Sequence, residues 1–65
     1  MNKKQIETIA EQYVTFQIET NNYKSGMLNK NKIDFPMEGL IVIHEERDVF
    51  IQIKDVRVIR GVRLW

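Results

Sequence analysis

The sequence predicts an α+β fold, with one N-terminal helix packed on a small three- to four-stranded antiparallel sheet. Three observations carry that expectation. Residues 3–20 place apolar side chains at helical spacing along one face. Two apolar runs, Leu40-Ile41-Val42-Ile43 and Val49-Phe50-Ile51-Gln52-Ile53, flank the charged tip His44-Glu45-Glu46-Arg47-Asp48 as the arms of a β-hairpin would. With 65 residues, the chain makes one small domain over 1–65.

The helix is expected over 3–20. Ile6, Ile9, Ala10, Tyr13, Val14 and Phe16 form its stripe and Ile18 extends the flank, so Ile9, Tyr13 and Phe16 are its expected core contacts. Asn2 is placed to cap the first turn, and Gln5, three residues on, completes a capping box. Asn21-Asn22 and Ser25-Gly26 supply turn chemistry to end it. From Tyr23 the period changes to two. Ile33, Phe35 and Met37 alternate with Asp34 and Pro36, and the proline places this strand at a sheet edge. Gly39 marks a bend before the hairpin, whose loop lacks Asn-Gly and is therefore longer than two residues. A last strand runs from Val56 to Leu64, with a bulge expected at Gly61 where the alternation slips.

The Leu40–Ile43 run is apolar on both faces, and a single helix covers only one face of such a sheet. The other face needs a partner. Ile41 and Ile43 are the expected outward residues and hence the candidate oligomer interface. A core of this size supplies only about 3–5 kcal/mol, so small domains usually add a staple. The chain has no Cys for a disulfide or thiolate metal site, and its one His is too few for a mononuclear zinc site. No cofactor or metal is implied, which leaves self-association or docking on another macromolecule. A net charge of +1 favours neither nucleic acid nor an acidic partner. No apolar stretch approaches the roughly 20 residues that cross a bilayer, and the start Met1-Asn2-Lys3-Lys4 does not lead into a secretory signal, so a cytoplasmic location without membrane association is expected.

Catalytic chemistry finds little footing. Ser25, the single serine, sits at a helix-to-strand turn without the Gly-x-Ser-x-Gly elbow a nucleophile needs. Glu45, Glu46 and Asp48 cluster at a hairpin tip, where solvent keeps carboxylates ionised rather than poised as acids. His44 with Glu46 would share a strand face, yet two ligands do not make a metal site. The segment Arg57-Val58-Ile59-Arg60-Gly61-Val62-Arg63-Leu64-Trp65 carries three Arg and no acid. Arg57, Arg60, Arg63 and Trp65 are the candidate partner-binding residues, because a guanidinium fork and an indole anchor interfaces well. The same composition also fits an edge strand kept soluble by its arginines, or a strand that contacts nucleic acid.

The helix followed by strands, with Val58-Ile59-Arg60-Gly61 near the end, loosely resembles the Sm-like fold, whose second motif often contains an Ile-Arg-Gly step. The first motif of that family has no counterpart around Gly39 to Phe50, so no RNA-binding residues carry over. At the level of class, a compact cysteine-free chain without a catalytic constellation resembles the accessory and host-takeover proteins of bacteriophages and mobile elements, anti-CRISPR inhibitors among them. The expectation is a small non-catalytic binding protein, not an enzyme, that self-associates as a homodimer and regulates or inhibits a host protein or ribonucleoprotein. The alternative is a nucleic-acid-binding module using the Arg-rich C-terminal strand.

Overall fold

The computed structural model describes residues 1–62; Arg63, Leu64 and Trp65 lie outside them. The α+β class is as the sequence predicts: an N-terminal helix followed by antiparallel strands in a two-stranded and a three-stranded group. Helix α1 spans Lys3–Gln12, and the capping box forms as its sequence requires. The Asn2 N–H donates to Gln5 Oε1 at 2.8 Å, and the Gln5 N–H to Asn2 Oδ1 at 2.9 Å. Ile6 and Ala10 are buried, while Ile9 packs at the core margin.

The helix is shorter than expected. It stops where Tyr13 turns extended (φ −119, ψ 141), and Thr15–Glu19 is strand β1. The two periods coincide at Phe16 and Ile18, both fully buried, which made the strand read as helix. Thr15, Gln17 and Glu19 alternate outward, and the stretch is rich in β-branched and aromatic residues. Val14, expected in the stripe, is 78% exposed.

The remaining strands are β2 (Ile33–Met37), β3 (Leu40–His44), β4 (Asp48–Gln52) and β5 (Val58–Val62). β2, β3 and β4 form an antiparallel meander, and β1 pairs with β5. β2 takes the edge that Pro36 demands, with a register shift between Asp34 and Met37. The turn Met37-Glu38-Gly39-Leu40 holds Gly39 at φ 79, a left-handed conformation that glycine adopts without strain. β5 runs unbroken against β1 from Thr15↔Val62 to Glu19↔Val58, so there is no bulge at Gly61. Gly61 serves a different purpose: the Tyr13 ring packs onto it, leaving no room for a Cβ.

Residues 20–28 are tied to β1 on the side away from β5. Phe16 and Leu28 exchange backbone hydrogen bonds at 2.8 Å. Buried Ser25 accepts from the Ile18 N–H at 2.9 Å and donates to the Gly26 carbonyl at 2.8 Å, which makes it a structural serine. The core gathers Ile6 and Ala10 of α1 with Phe16, Ile18, Leu28, Ile33, Ile41, Ile43, Ile51, Ile53 and Val56. Ile41 and Ile43 are therefore not an interface. Both are fully buried inside this chain, because β3 turns that side of its pleat to the core. In a run of four aliphatics, hydropathy does not say which parity faces in.

Candidate functional site

The register of the meander decides what its outer face displays. Residues paired across an antiparallel ladder share a face. Ile33, Ile43 and Val49 form an inward row, as do Ile41 and Ile51. Asp34, Val42 and Phe50 form an outward row, flanked by Met37, Leu40 and Gln52 on one side and by His44 and Asp48 on the other. The doubly apolar character expected of this strand is present, carried outward by Leu40 and Val42. Val42 is buried and Leu40 half-buried, whereas Phe50 is 66% and Met37 65% exposed. Two large apolar side chains thus stand in solvent on one sheet face, beside a shallow depression lined by Phe35, Pro36, Val42 and Phe50. Phe35 itself turns toward the core margin through the register shift, and Lys3 Nζ sits 5.2 Å from its ring centroid.

A polar cluster closes one end of this face. His44 Nε2 lies 2.7 Å from Asp34 Oδ2, and Nδ1 lies 2.8 Å from Asp48 Oδ1. Hairpin register puts His44 opposite Asp48 across the three-residue loop, and β2 brings in Asp34. Glu46, the expected companion of His44, is not part of the cluster. Two carboxylates want an N–H from each ring nitrogen, so the imidazole proton affinity rises above its ordinary value of 6.5. The bond to Asp48 contributes most and that to Asp34 next, against a smaller opposing effect of desolvation. When the ring is protonated, these two carboxylates engage both of its N–H groups, and neither nitrogen then offers a lone pair. Among the described residues, no group of three or more His, Cys, Asp or Glu side chains is arranged to hold a metal ion.

The acidic tip is more engaged than a solvated loop. Glu45 accepts from the Tyr23 hydroxyl through Oε1 and from the Gly26 N–H at 3.2 Å through Oε2, pinning the 20–28 segment to the β3–β4 hairpin. Burial and the Glu45 carboxylate together push the Tyr23 phenol well above its usual range. The arginines do not assemble into one patch among the described residues. Arg57 precedes β5, bonding Asn21 Oδ1 at 3.1 Å while its backbone N–H donates to the Glu19 carbonyl at 2.9 Å. Arg60 stands exposed within β5, opposite Gln17 and on the same face as Val58 and Val62. Arg63 and Trp65, the other two candidate partner-binding residues, fall outside the described residues.

Compared with protein-family models, curated proteins and solved structures, the chain matches none. The helix-then-strands order noted from the sequence is present, and its Ile59-Arg60-Gly61 step forms a regular stretch of β5. Ile59 packs against the core, Arg60 points out, and Gly61 accommodates Tyr13. Sequence reasoning missed Phe50, Met37 and the Asp34–His44–Asp48 cluster as surface features. One signal was available for part of it: His44 and Asp48, four residues apart around a hairpin tip, are the spacing at which a three-residue loop sets two side chains opposite each other.

Proposed function

We propose that this chain is a non-catalytic binding domain that docks on a larger macromolecule through the outer face of its three-stranded sheet. The observation that supports this most is the exposure of Phe50 and Met37 on one face with Leu40 and Val42. Burying a large apolar side chain is worth about 1.5–3 kcal/mol, so solvent-exposed Phe and Met on a small domain are candidates for an interface. The His44 cluster beside them supplies a polar rim, with carboxylate oxygens facing solvent. The domain acts as a regulator or inhibitor, of the kind carried by bacteriophages and mobile elements, and its target is a host protein or ribonucleoprotein. It works as a homodimer in the cytoplasm. No helix among the described residues is long and apolar enough to cross a membrane.

The alternative, nucleic-acid contact through the C-terminal strand, retains one supporting observation: Arg57 and Arg60 are both exposed. Capture from a bacterial lysate, with mass spectrometry of what is retained, separates the two readings. Met37→Ser combined with Leu40→Ser should abolish capture while circular dichroism stays native, and Arg57→Glu with Arg60→Glu should leave it intact. The reverse order, with binding that weakens steeply as salt rises, would hand the function to the arginine strand.

A further inference from the structure

We propose that β4 is the seam of a symmetric homodimer, pairing antiparallel with β4 of a second copy about a twofold axis at Phe50. The Ile53 N–H donates to the Gly39 carbonyl at 2.8 Å, one step beyond the Leu40↔Gln52 pair in the same register. Hydrogen-bonded and non-hydrogen-bonded pairs alternate along an antiparallel ladder. Ile41↔Ile51 and Ile43↔Val49 are therefore the bonded pairs, and Asp48, Phe50 and Gln52 turn their N–H and C=O groups away from β3. Among the described residues, β4 has no strand on that side and no backbone partner outside the ladders reaches Asp48 or Phe50, while the Gln52 carbonyl opens the 3-10 turn Ile53–Asp55. An open groove of about 490 Å³ runs along the same edge, lined by residues 49–52 and, opposite them, by residues 20–23.

The edge is symmetric about Phe50. Asp48 and Gln52 lie equally far on either side of Phe50, so two copies in antiparallel array set Phe50 facing Phe50 and Asp48 facing Gln52. The exposed rings then meet at the axis as a cross-strand aromatic pair. Charge favours the same orientation. It brings the net-acidic Glu45-Glu46-Arg47-Asp48 end of one strand to the Lys54-Asp55 end of the other, whose charges cancel, where a parallel array would set the two acidic ends together. The two edges of the meander also differ in protection. β2 carries Pro36 and an irregular register, the usual devices against edge pairing, whereas β4 has neither proline, lysine nor bulge between residues 48 and 52. Val49 and Ile51 remain turned inward, so pairing asks nothing of the core. This deepens the self-association proposed above by naming where the copies join, and rests on that reading only for self-association itself.

The chain has no cysteine, so an introduced thiol reports on geometry without interference. Directly opposed residues of a hydrogen-bonded pair have Cα atoms about 5.5 Å apart, within the reach of a disulfide. Mild oxidation of Phe50→Cys should give a disulfide-linked dimer, and Gln52→Cys alone should not. A mixture of Asp48→Cys and Gln52→Cys should cross-link as a heterodimer. Phe50→Lys should raise the dimer dissociation constant by about thirtyfold or more in sedimentation, as loss of a central anchor does. Three results would overturn the proposal: a parent chain that stays monomeric without any of these cross-links, a Gln52→Cys cross-link as fast as that of Phe50→Cys, or a monomer whose β4 edge captures an extended peptide of another protein instead. Capture by the Met37→Ser, Leu40→Ser variant tests the outer face separately, since neither residue lies on β4.

Discussion

The Tyr13 ring packs on the backbone of Gly61, so that a Cβ at residue 61 would fall nearer to three ring carbons than real Cβ atoms come. The contact joins the end of α1 to β5, and glycine is required there for space rather than for an unusual backbone angle. Gly61→Ala should therefore destabilise the domain by about 1–3 kcal/mol, as overpacking does. Chemical denaturation checks this, and Tyr13→Ala in the same background should recover part of the loss by opening the space.

Phe16 is the largest fully buried side chain, at the centre of the core on β1. Phe16→Ala should cost about 3–5 kcal/mol, comparable to the whole stability expected of a domain this small. Circular dichroism at 25 °C should show a largely unfolded chain. A variant melting within a few degrees of the parent would show that the site collapses around the lost ring.

Ile41→Lys and Phe50→Lys should behave in opposite ways. Ile41 is fully enclosed, and a lysine there leaves a charge without water or partner. Phe50 is mostly in solvent, and its substitution should leave the melting curve of the monomer nearly unchanged. Thermal melts of the two variants, side by side, measure which parity of the hairpin faces the core.

His44 should give the fold a pH dependence with a definite sign. Its proton affinity is raised in the folded chain by Asp48 and Asp34, above the ordinary value of 6.5. Its contribution is fully present below pH 6.5 and is lost as pH rises through the folded value. Stability should thus fall across the window above 6.5, and His44→Gln should flatten the profile there. Nuclear magnetic resonance titration of the imidazole carbons would give the raised value directly.

The Tyr23–Glu45 bond should be the latch of the 20–28 segment. Glu45→Gln should speed amide exchange at Gly26, whose N–H shares the same carboxylate, with little effect on Ile51 in the hairpin interior. Ultraviolet titration should show the Tyr23 phenol ionising well above the ordinary range in the parent and lower in the variant. Equal exchange rates at Gly26 in both proteins would mean that other contacts hold the segment.

The sequence reading succeeded where chemistry was local. The Asn2–Gln5 capping box, the proline edge at Pro36, the bend at Gly39 and the longer hairpin loop each depend on one to five neighbouring residues. It failed where a distant partner decided. Phe16 and Ile18 satisfy both a helical stripe and a strand alternation, and only pairing with β5, far along the chain, selects the strand. Leu40-Ile41-Val42-Ile43 gives no contrast between faces, so the inward parity was set by Ile33 and Ile51 across the ladders. The candidate surface was hidden for the same reason: Asp34, His44 and Asp48 converge only once β2, β3 and β4 are in register.

The β1–β5 ladder also governs how the molecule reaches this state. Its pairs join residues from 39 apart (Glu19 to Val58) to 47 apart (Thr15 to Val62), whereas the meander joins near neighbours. Long loops close at an entropic cost that only later contacts return, so the meander should form first and the two-stranded ladder last. Until β5 arrives, Phe16 and Ile18 have no finished site. During synthesis the nascent chain therefore carries these two hydrophobes without their β5 partner until residues 58–62 have emerged, and holding those residues back inside a ribosome should keep the β1 side of the core open while the meander forms.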